Sequence, residues 1–238
     1  GLLARIENAF QLQKMFVSNV SHELKNPLTN ITSQLEVTLL NEREKEEYRE
    51  TIESVLEDIR SLNHLSNSLL DLARLTRESD SFTMARVRLD EILWETRESI
   101  STIDVNYKVE VEIIDMPEDE RRLYVNGNPY LLKVAFQNII ENACKFSEEG
   151  TAHIKLSCQK NSLIVEVANN GPGINRKDLD NVFQPFFRAD ATSKIKGYGV
   201  GLPLSQRIIS IHKGQIGIES TPETGTRVKV TLKTEAGF

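Results

Sequence analysis

The sequence predicts an α+β chain in two parts. An N-terminal antiparallel helical hairpin would pair into a dimeric four-helix bundle. An α/β sandwich would follow, a mixed sheet with helices on one face. Three observations predict this. Apolar residues recur at gaps of three and four as far as Leu75, the period of helix seams. Sustained alternation of apolar and polar residues begins only at Tyr107. The later strand-like segments fall into pairs with short turns, which makes them hairpins rather than parallel crossovers.

The first helix carries its apolar positions at Leu3, Ile6, Phe10, Val17, Val20, Leu24, Leu28, Ile31 and Leu35. His22 lies two residues from both Val20 and Leu24, so it points away from that seam toward solvent. Pro27 cannot donate to the carbonyl of residue 23, and a bend just past the histidine is expected. An exposed histidine beside a kink is by itself an ordinary surface residue. The heptapeptide His22-Glu23-Leu24-Lys25-Asn26-Pro27-Leu28 adds chemistry. Glu23 puts a carboxylate beside a ring that must be neutral to attack phosphorus, and Asn26 lies one turn on, on the histidine's face.

The second helix is expected from about Glu44 to Arg77, with apolar positions at Tyr48, Ile52, Val55, Ile59, Leu62, Leu65, Leu69, Leu72 and Leu75. Only a short polar turn around Asn41–Arg43 separates it from the first, so the two form a hairpin. One hairpin buries too little to stand alone, and two from two chains complete a bundle. A homodimer is therefore expected. The domains are placed at 1–77 for the hairpin, 78–85 (ESDSFTMA) for a polar, aperiodic linker, and 86–238 for the sandwich.

In the second domain, Tyr107, Val109, Val111 and Ile113 alternate as a half-buried strand. Further strands are expected at 154–157, 163–167, 215–219 and 226–232, and helices at 90–102, 129–146 and 200–212. A net charge of −6 without a basic run gives no reason to expect nucleic-acid binding. Cys144 and Cys158 lack metal spacing and suit reduced structural thiols in a cytosolic protein. No apolar run reaches the ~18–20 residues of a membrane helix. The chain opens inside a helical pattern with no start signal before Leu2. A longer protein is expected, with any membrane spans in a missing N-terminal part.

Four clusters carry the chemistry of the second domain. Asn138, Asn142 and Lys145 share one helix stripe, where amide oxygens and an ammonium suit Mg²⁺ and phosphate. Asn169-Asn170-Gly171-Pro172-Gly173-Ile174 follows a strand and makes a tight turn that a flat ring can approach. In Val182-Phe183-Gln184-Pro185-Phe186-Phe187-Arg188 the phenylalanines suit packing, and Arg188 could reach a phosphate. Gly197-Tyr198-Gly199-Val200-Gly201-Leu202 leads into a helix whose free N–H groups can hold an anion. Between the second and fourth clusters, Lys194 and Lys196 lie on a polar stretch that suits a mobile lid.

On these residues the chain resembles the cytoplasmic core of a sensor histidine kinase of two-component systems. Phe16–Leu28 resembles the family's H box, Asn138–Phe146 its N box, Asn169–Ile174 its G1 box, Val182–Phe187 its F box and Gly197–Leu202 its G2 box. The resemblance implies a Bergerat-type ATP-binding fold behind the hairpin, with ATP and Mg²⁺ as cofactors. It implies His22 as phosphoacceptor, with Glu23 taking up the ring proton. It implies Asn142 on Mg²⁺ with Asn138 nearby, Lys145 on phosphate and Phe146 against adenine. Gly171 and Gly173 would shape the adenine pocket, and Gly197, Gly199 and Gly201 the phosphate loop, which Leu202 closes. Asn26 matches the position that orients a water for dephosphorylating the regulator.

The implied partners are a second copy and the receiver domain of a cognate response regulator. The implied location is the cytoplasmic portion of an inner-membrane sensor. One departure is Asn169, where the family usually has Asp accepting from the adenine amino group. Asn keeps an acceptor oxygen, so binding is expected to survive, and base preference and affinity are the properties touched. A second is Pro203, tolerated in the first turns of a helix. Two rival readings remain: a catalytically impaired nucleotide-binding signalling scaffold, and a Bergerat-type ATPase such as a chaperone or topoisomerase, against which the context of His22 counts.

Overall fold

A computed structural model of the protein describes residues 2–77, 82–114, 116–189, 195 and 197–235. The chain forms two compact units, Gly1–Leu70 and Asp71–Phe238.

In the first unit, helix α1 (Leu2–Leu39) and the greater part of α2 (Lys45–Arg77) form the hairpin. Helix α1 runs unbroken through Pro27 rather than ending there. Helix α2 starts where the Glu47 carboxylate accepts the Glu44 N–H at 3.1 Å, one half of a capping box. Asn30 and Gln34 donate to the Asp58 carboxylate at 2.8 and 3.3 Å, and Thr38 reaches Thr51 at 3.4 Å. Low numbers on one helix thus meet high numbers on the other, which makes the pair antiparallel. Much of the apolar seam stays open: Val17, Leu28 and Ile52 are each more than half exposed at 58%, 51% and 55%.

The second unit takes in the last residues of α2. Leu75 is buried in its core, and the Arg207 guanidinium donates twice to the Leu75 carbonyl, at 3.1 and 2.9 Å. That carbonyl belongs to the final turn of α2, whose acceptors have no partner within the helix.

Strand β1 (Ala85–Arg88) leads directly into helix α3 (Leu89–Ile103) and strand β2 (Lys108–Ile114). A 3₁₀ turn at Glu120–Leu123 precedes strand β3 (Tyr124–Gly127), which pairs antiparallel with β1. Helix α4 (Pro129–Lys145) follows, then strands β4 (Thr151–Gln159) and β5 (Ser162–Asn169). Short helix α5 (Arg176–Leu179), helix α6 (Gly201–Ile211) and strands β6 (Gln215–Thr221) and β7 (Gly225–Lys233) complete the unit. The five-stranded sheet has the order β2-β4-β5-β7-β6, with β2 and β4 parallel and the other neighbours antiparallel. It is the mixed sheet expected, with both hairpins in place; the hairpin strands run longer than the alternation alone marked, and β2 keeps its expected length.

The period-2 pattern decides which face is covered. Val109, Ala152, Ile154, Val165, Val167, Val228 and Val230 lie on one face, inside the core formed with α3, α4 and α6. On the opposite face Glu112, Lys155, Glu166 and Lys229 stand side by side across four strands, with alternating charge. Lys155 pairs with Glu112 at 3.2 Å and Lys229 with Glu166 at 3.8 Å, a solvated ladder that explains why helices occupy only one face. Helix α4 lies against both α3 and α6 and over β4 and β5. Its start is fixed by Asn128, whose side chain accepts the Leu131 N–H, with Pro129 in the first turn.

Candidate functional site

His22 and Asn26 are exposed on α1, one turn apart, and Glu23 between them is half-buried. Among the described residues no hydrogen bond holds the His22 ring or the Asn26 amide. A shallow groove on the same helix is lined by Ser21, Leu24, Lys25, Leu28, Thr29 and Thr32.

The second site is built on α4. Asn138 is buried, and Asn142 and Lys145 are half-buried on the same stripe. The Asn138 amide donates to the Val134 carbonyl at 3.0 Å, so its oxygen is left for other partners. Three glycines distant in sequence approach this stripe. A Cβ added at Gly201 would stand 3.0 Å from the Asn138 amide oxygen, and one at Gly197 would stand 3.0 Å from the Lys145 ammonium. A Cβ at Gly171 would overlap the Phe146 carbonyl oxygen, so only glycine permits this approach. The Glu148 N–H donates to the Asn170 carbonyl at 2.9 Å and fixes the turn after β5 beside the end of α4.

The loop before α6 is held from the other side. The Phe186 N–H donates to the Gly199 carbonyl at 2.9 Å, with φ near +67° at Phe186 and +68° at Gly199. Gly173 packs against the Thr221 carbonyl. Leu202 is half-buried and packs on the core. Arg188 is exposed, and its guanidinium donates to the Ile195 carbonyl at 2.6 Å. Lys194 and Lys196, placed on the expected lid, lie outside the described residues, as does part of the expected linker.

Asn169 ends β5 with only 5% of its surface exposed, and its side-chain amide has no hydrogen-bond partner among the described residues. Directly across the ladder stands Thr226, which the sequence reading did not single out. Its hydroxyl meets the Ser220 hydroxyl at 2.8 Å, and Ser220 also takes the Ile174 N–H and donates to the Gly225 carbonyl, each at 2.8 Å. The available signal was the Gly225-Thr226 pair opening a strand after a hairpin turn.

These groups pass a simple test of fit for a magnesium nucleotide. Asn169 is a buried polar residue whose side-chain amide has no hydrogen-bond partner among the described residues, and Gly171 and Gly201 let backbone pack directly against Phe146 and Asn138. The amide oxygens of Asn138 and Asn142 are hard donors that suit Mg²⁺. Cys144 is a poor candidate for chemistry: burial pushes its thiol up to about 11.

Comparison with known proteins matches each part of the chain to a described family. Residues 12–78 match the family described as the His Kinase A (phospho-acceptor) domain. Residues 127–236 match the family described as histidine kinase-, DNA gyrase B-, and HSP90-like ATPase. Together the two matches are those of the catalytic core of a sensor histidine kinase.

This histidine kinase core is 30% identical over 231 residues to the sensor protein kinase WalK of Staphylococcus aureus strain MRSA252. The match takes in 94% of the chain and 37% of that relative. A second S. aureus WalK sequence is 30% identical over 94% of the chain and 54% of its own length. The chain therefore spans between a third and just over half of these relatives. Among solved structures, the Acinetobacter baumannii histidine kinase AdeS superposes with a TM-score of 0.70 at 18% identity, over 90% of this chain and 98% of that one. Full-length ShkA in complex with AMPPNP gives 0.64 at 19% identity, over 91% and 45%. Both likenesses concern the fold. No helix among the described residues is long and apolar enough to cross a membrane.

Proposed function

We propose that this core is an ATP-dependent protein-histidine kinase that phosphorylates itself on His22 and passes the phosphoryl group to an aspartate of a response regulator. The observation that carries the nucleotide half is the approach of Gly201 to Asn138, of Gly197 to Lys145 and of Gly171 to the Phe146 carbonyl just past the end of α4. Backbone approach at three points beside amide and ammonium groups suits a flat base and a chain of phosphates.

In this reading Asn169 takes the base edge, and Phe146 lies against its face. Gly171 and Gly173 shape the turn that walls the base pocket, by packing on the Phe146 and Thr221 carbonyls. Lys145 and the N–H groups around Gly197, Gly199 and Gly201 hold the phosphates, with Arg188 at the margin of the loop. Asn142, with Asn138 beside it, would hold Mg²⁺, which neutralises charge on the phosphates when bound. His22 attacks through a ring nitrogen that carries a free lone pair, and Glu23 takes the proton from the other nitrogen as the new bond forms. Asn26 positions a water when the phosphorylated regulator is later hydrolysed. The domain limits are proposed at 1–77, 78–85 and 86–238.

Sensor histidine kinases generally dimerise and signal to response regulators. The open seam of α1 and α2, including Val17, Leu28 and Ile52, is the surface a second copy would cover. Mixing the labelled protein with a receiver domain tests the second half-reaction. The label should leave the kinase and appear on the receiver as an acyl phosphate, and retention of all label on the kinase by every receiver offered would count against a relay.

A further inference from the structure

We propose that the purine pocket accepts 6-oxopurine nucleotides as well as adenine nucleotides, because Asn169 can turn its amide to suit either base. The inference rests on the nucleotide reading above and names the substrate class of that same site.

The backbone of Asn169 is fixed, since the ladder to β7 pairs it with Thr226 and its neighbour Ala168 with Arg227. The side chain lies against Gly171, where an added Cβ would come within 2.9 Å of the Asn169 amide nitrogen. Glycine at 171 thus lets the turn pack closely on both the Phe146 carbonyl and this amide, which sets the amide beside the end of α4. The residue as a whole is only 5% exposed, yet its side-chain amide has no hydrogen-bond partner among the described residues. The nearby hydroxyls do not fix it, because Ser220 and Thr226 bond to each other and Ser220 to the Ile174 and Gly225 backbone. Turning an asparagine amide by 180° exchanges donor and acceptor with little change of shape. Here that turn breaks no bond to the protein.

The two base classes present opposite patterns on the edge that carries position 6. Adenine offers an N–H donor at the 6-amino group and an acceptor at N1. A 6-oxopurine offers an acceptor at O6 and a donor at N1. An asparagine amide has one oxygen acceptor and one NH₂ donor group side by side, and it matches the first pattern in one orientation and the second in the other. A carboxylate at the same place has acceptors only. It would suit the 6-amino group and would set its charge against O6.

Titration of the whole chain with ADP and with IDP, in the presence of Mg²⁺, tests this. The diphosphates avoid transfer, and hypoxanthine carries the 6-oxo pattern without a 2-amino group. Wild-type protein should bind IDP within about tenfold of ADP. Asn169→Asp should lower the ratio of IDP to ADP affinity by about thirtyfold or more, the scale of an unmatched buried polar group. A cooperative melting transition like that of wild type shows that this variant is folded. Asn169→Ala should weaken both ligands about equally. The inference is overturned if wild type binds ADP and rejects IDP as strongly as Asn169→Asp does. Failure of wild type to bind ADP at all would overturn the nucleotide reading itself, a separate result.

Discussion

The ring of His212 accepts the backbone N–H of Asn128 at 2.9 Å, and Asn128 caps the helix that carries the nucleotide stripe. The other ring nitrogen donates to the Ile208 carbonyl at 2.7 Å, so the neutral ring with its proton on Nδ1 fits both partners. The end of α6 is thereby pinned to the start of α4, with Gly127 tight against the ring.

Burial holds the His212 ring below its ordinary pKa, against the opposing effect of the Ile208 carbonyl. An unfolded histidine titrates near 6.5. Below that pH the unfolded chain takes up a proton that the folded ring resists. The stabilisation is therefore complete above about pH 6.5 and declines as pH falls toward the lower folded value. Melting curves from pH 8 to 5 should show this decline, and His212→Phe should show a shallower one. The variant should also be less stable at pH 8 by roughly 1–3 kcal/mol, because the Asn128 N–H loses its acceptor. Parallel pH profiles for the two proteins would refute the assignment.

Asn169→Ala should weaken ATP binding by about five- to 150-fold, the consequence of leaving a base amino group unmatched in a buried site. Calorimetry with a non-hydrolysable ATP analogue measures this. An Ala variant that binds as wild type does would mean that Asn169 does not read the base.

Much of this fold was legible because its long elements follow one period. The seams of α1 and α2 and the alternation of β2, β4, β5 and β7 each repeat often enough to outweigh single exceptions such as Pro27. Strands β1 and β3 were not foreseen. Each is four residues long, and they exist because they pair with each other through Val87 and Val125, both buried. That is a long-range contact with no local signature. The site residues were visible as clusters, but their convergence was not. The approach of Gly201 to Asn138 and of Gly197 to Lys145 joins positions more than 50 residues apart along the chain, and it depends on α4 and α6 packing side by side. Thr226 was missed because its meaning comes from standing opposite Asn169 in the ladder.

Charged replacements in the open hairpin seam, such as Ile52→Glu or Ile59→Glu, should dissociate the dimer or unfold the bundle. Covering such a side chain is worth ~1.5–3 kcal/mol, and these two are 55% and 41% exposed in the single chain. Sedimentation should show wild type as a dimer and the variants shifted to monomer. A wild-type monomer at micromolar concentration would remove the case for a second copy.

Asn26→Ala should leave self-phosphorylation intact and slow hydrolysis of the phosphorylated regulator by roughly 10- to 100-fold, the cost of losing a positioned water. Its amide stands exposed one turn from His22. Timed loss of label from a receiver domain, beside the autokinase rate, separates the two activities. Equal loss of both would assign Asn26 to the shape of α1 near Pro27.

The most direct measurement is self-labelling of wild type and His22→Gln with γ-³²P ATP and Mg²⁺, followed by denaturation. Wild type should retain label that acid removes and base does not, as expected of a phosphorus–nitrogen bond. The variant should take up none while binding nucleotide as wild type does, since His22 and the nucleotide stripe lie in separate compact units. A variant that labels as strongly as wild type would contradict His22 as the acceptor, and wild type that never labels would contradict the kinase reading.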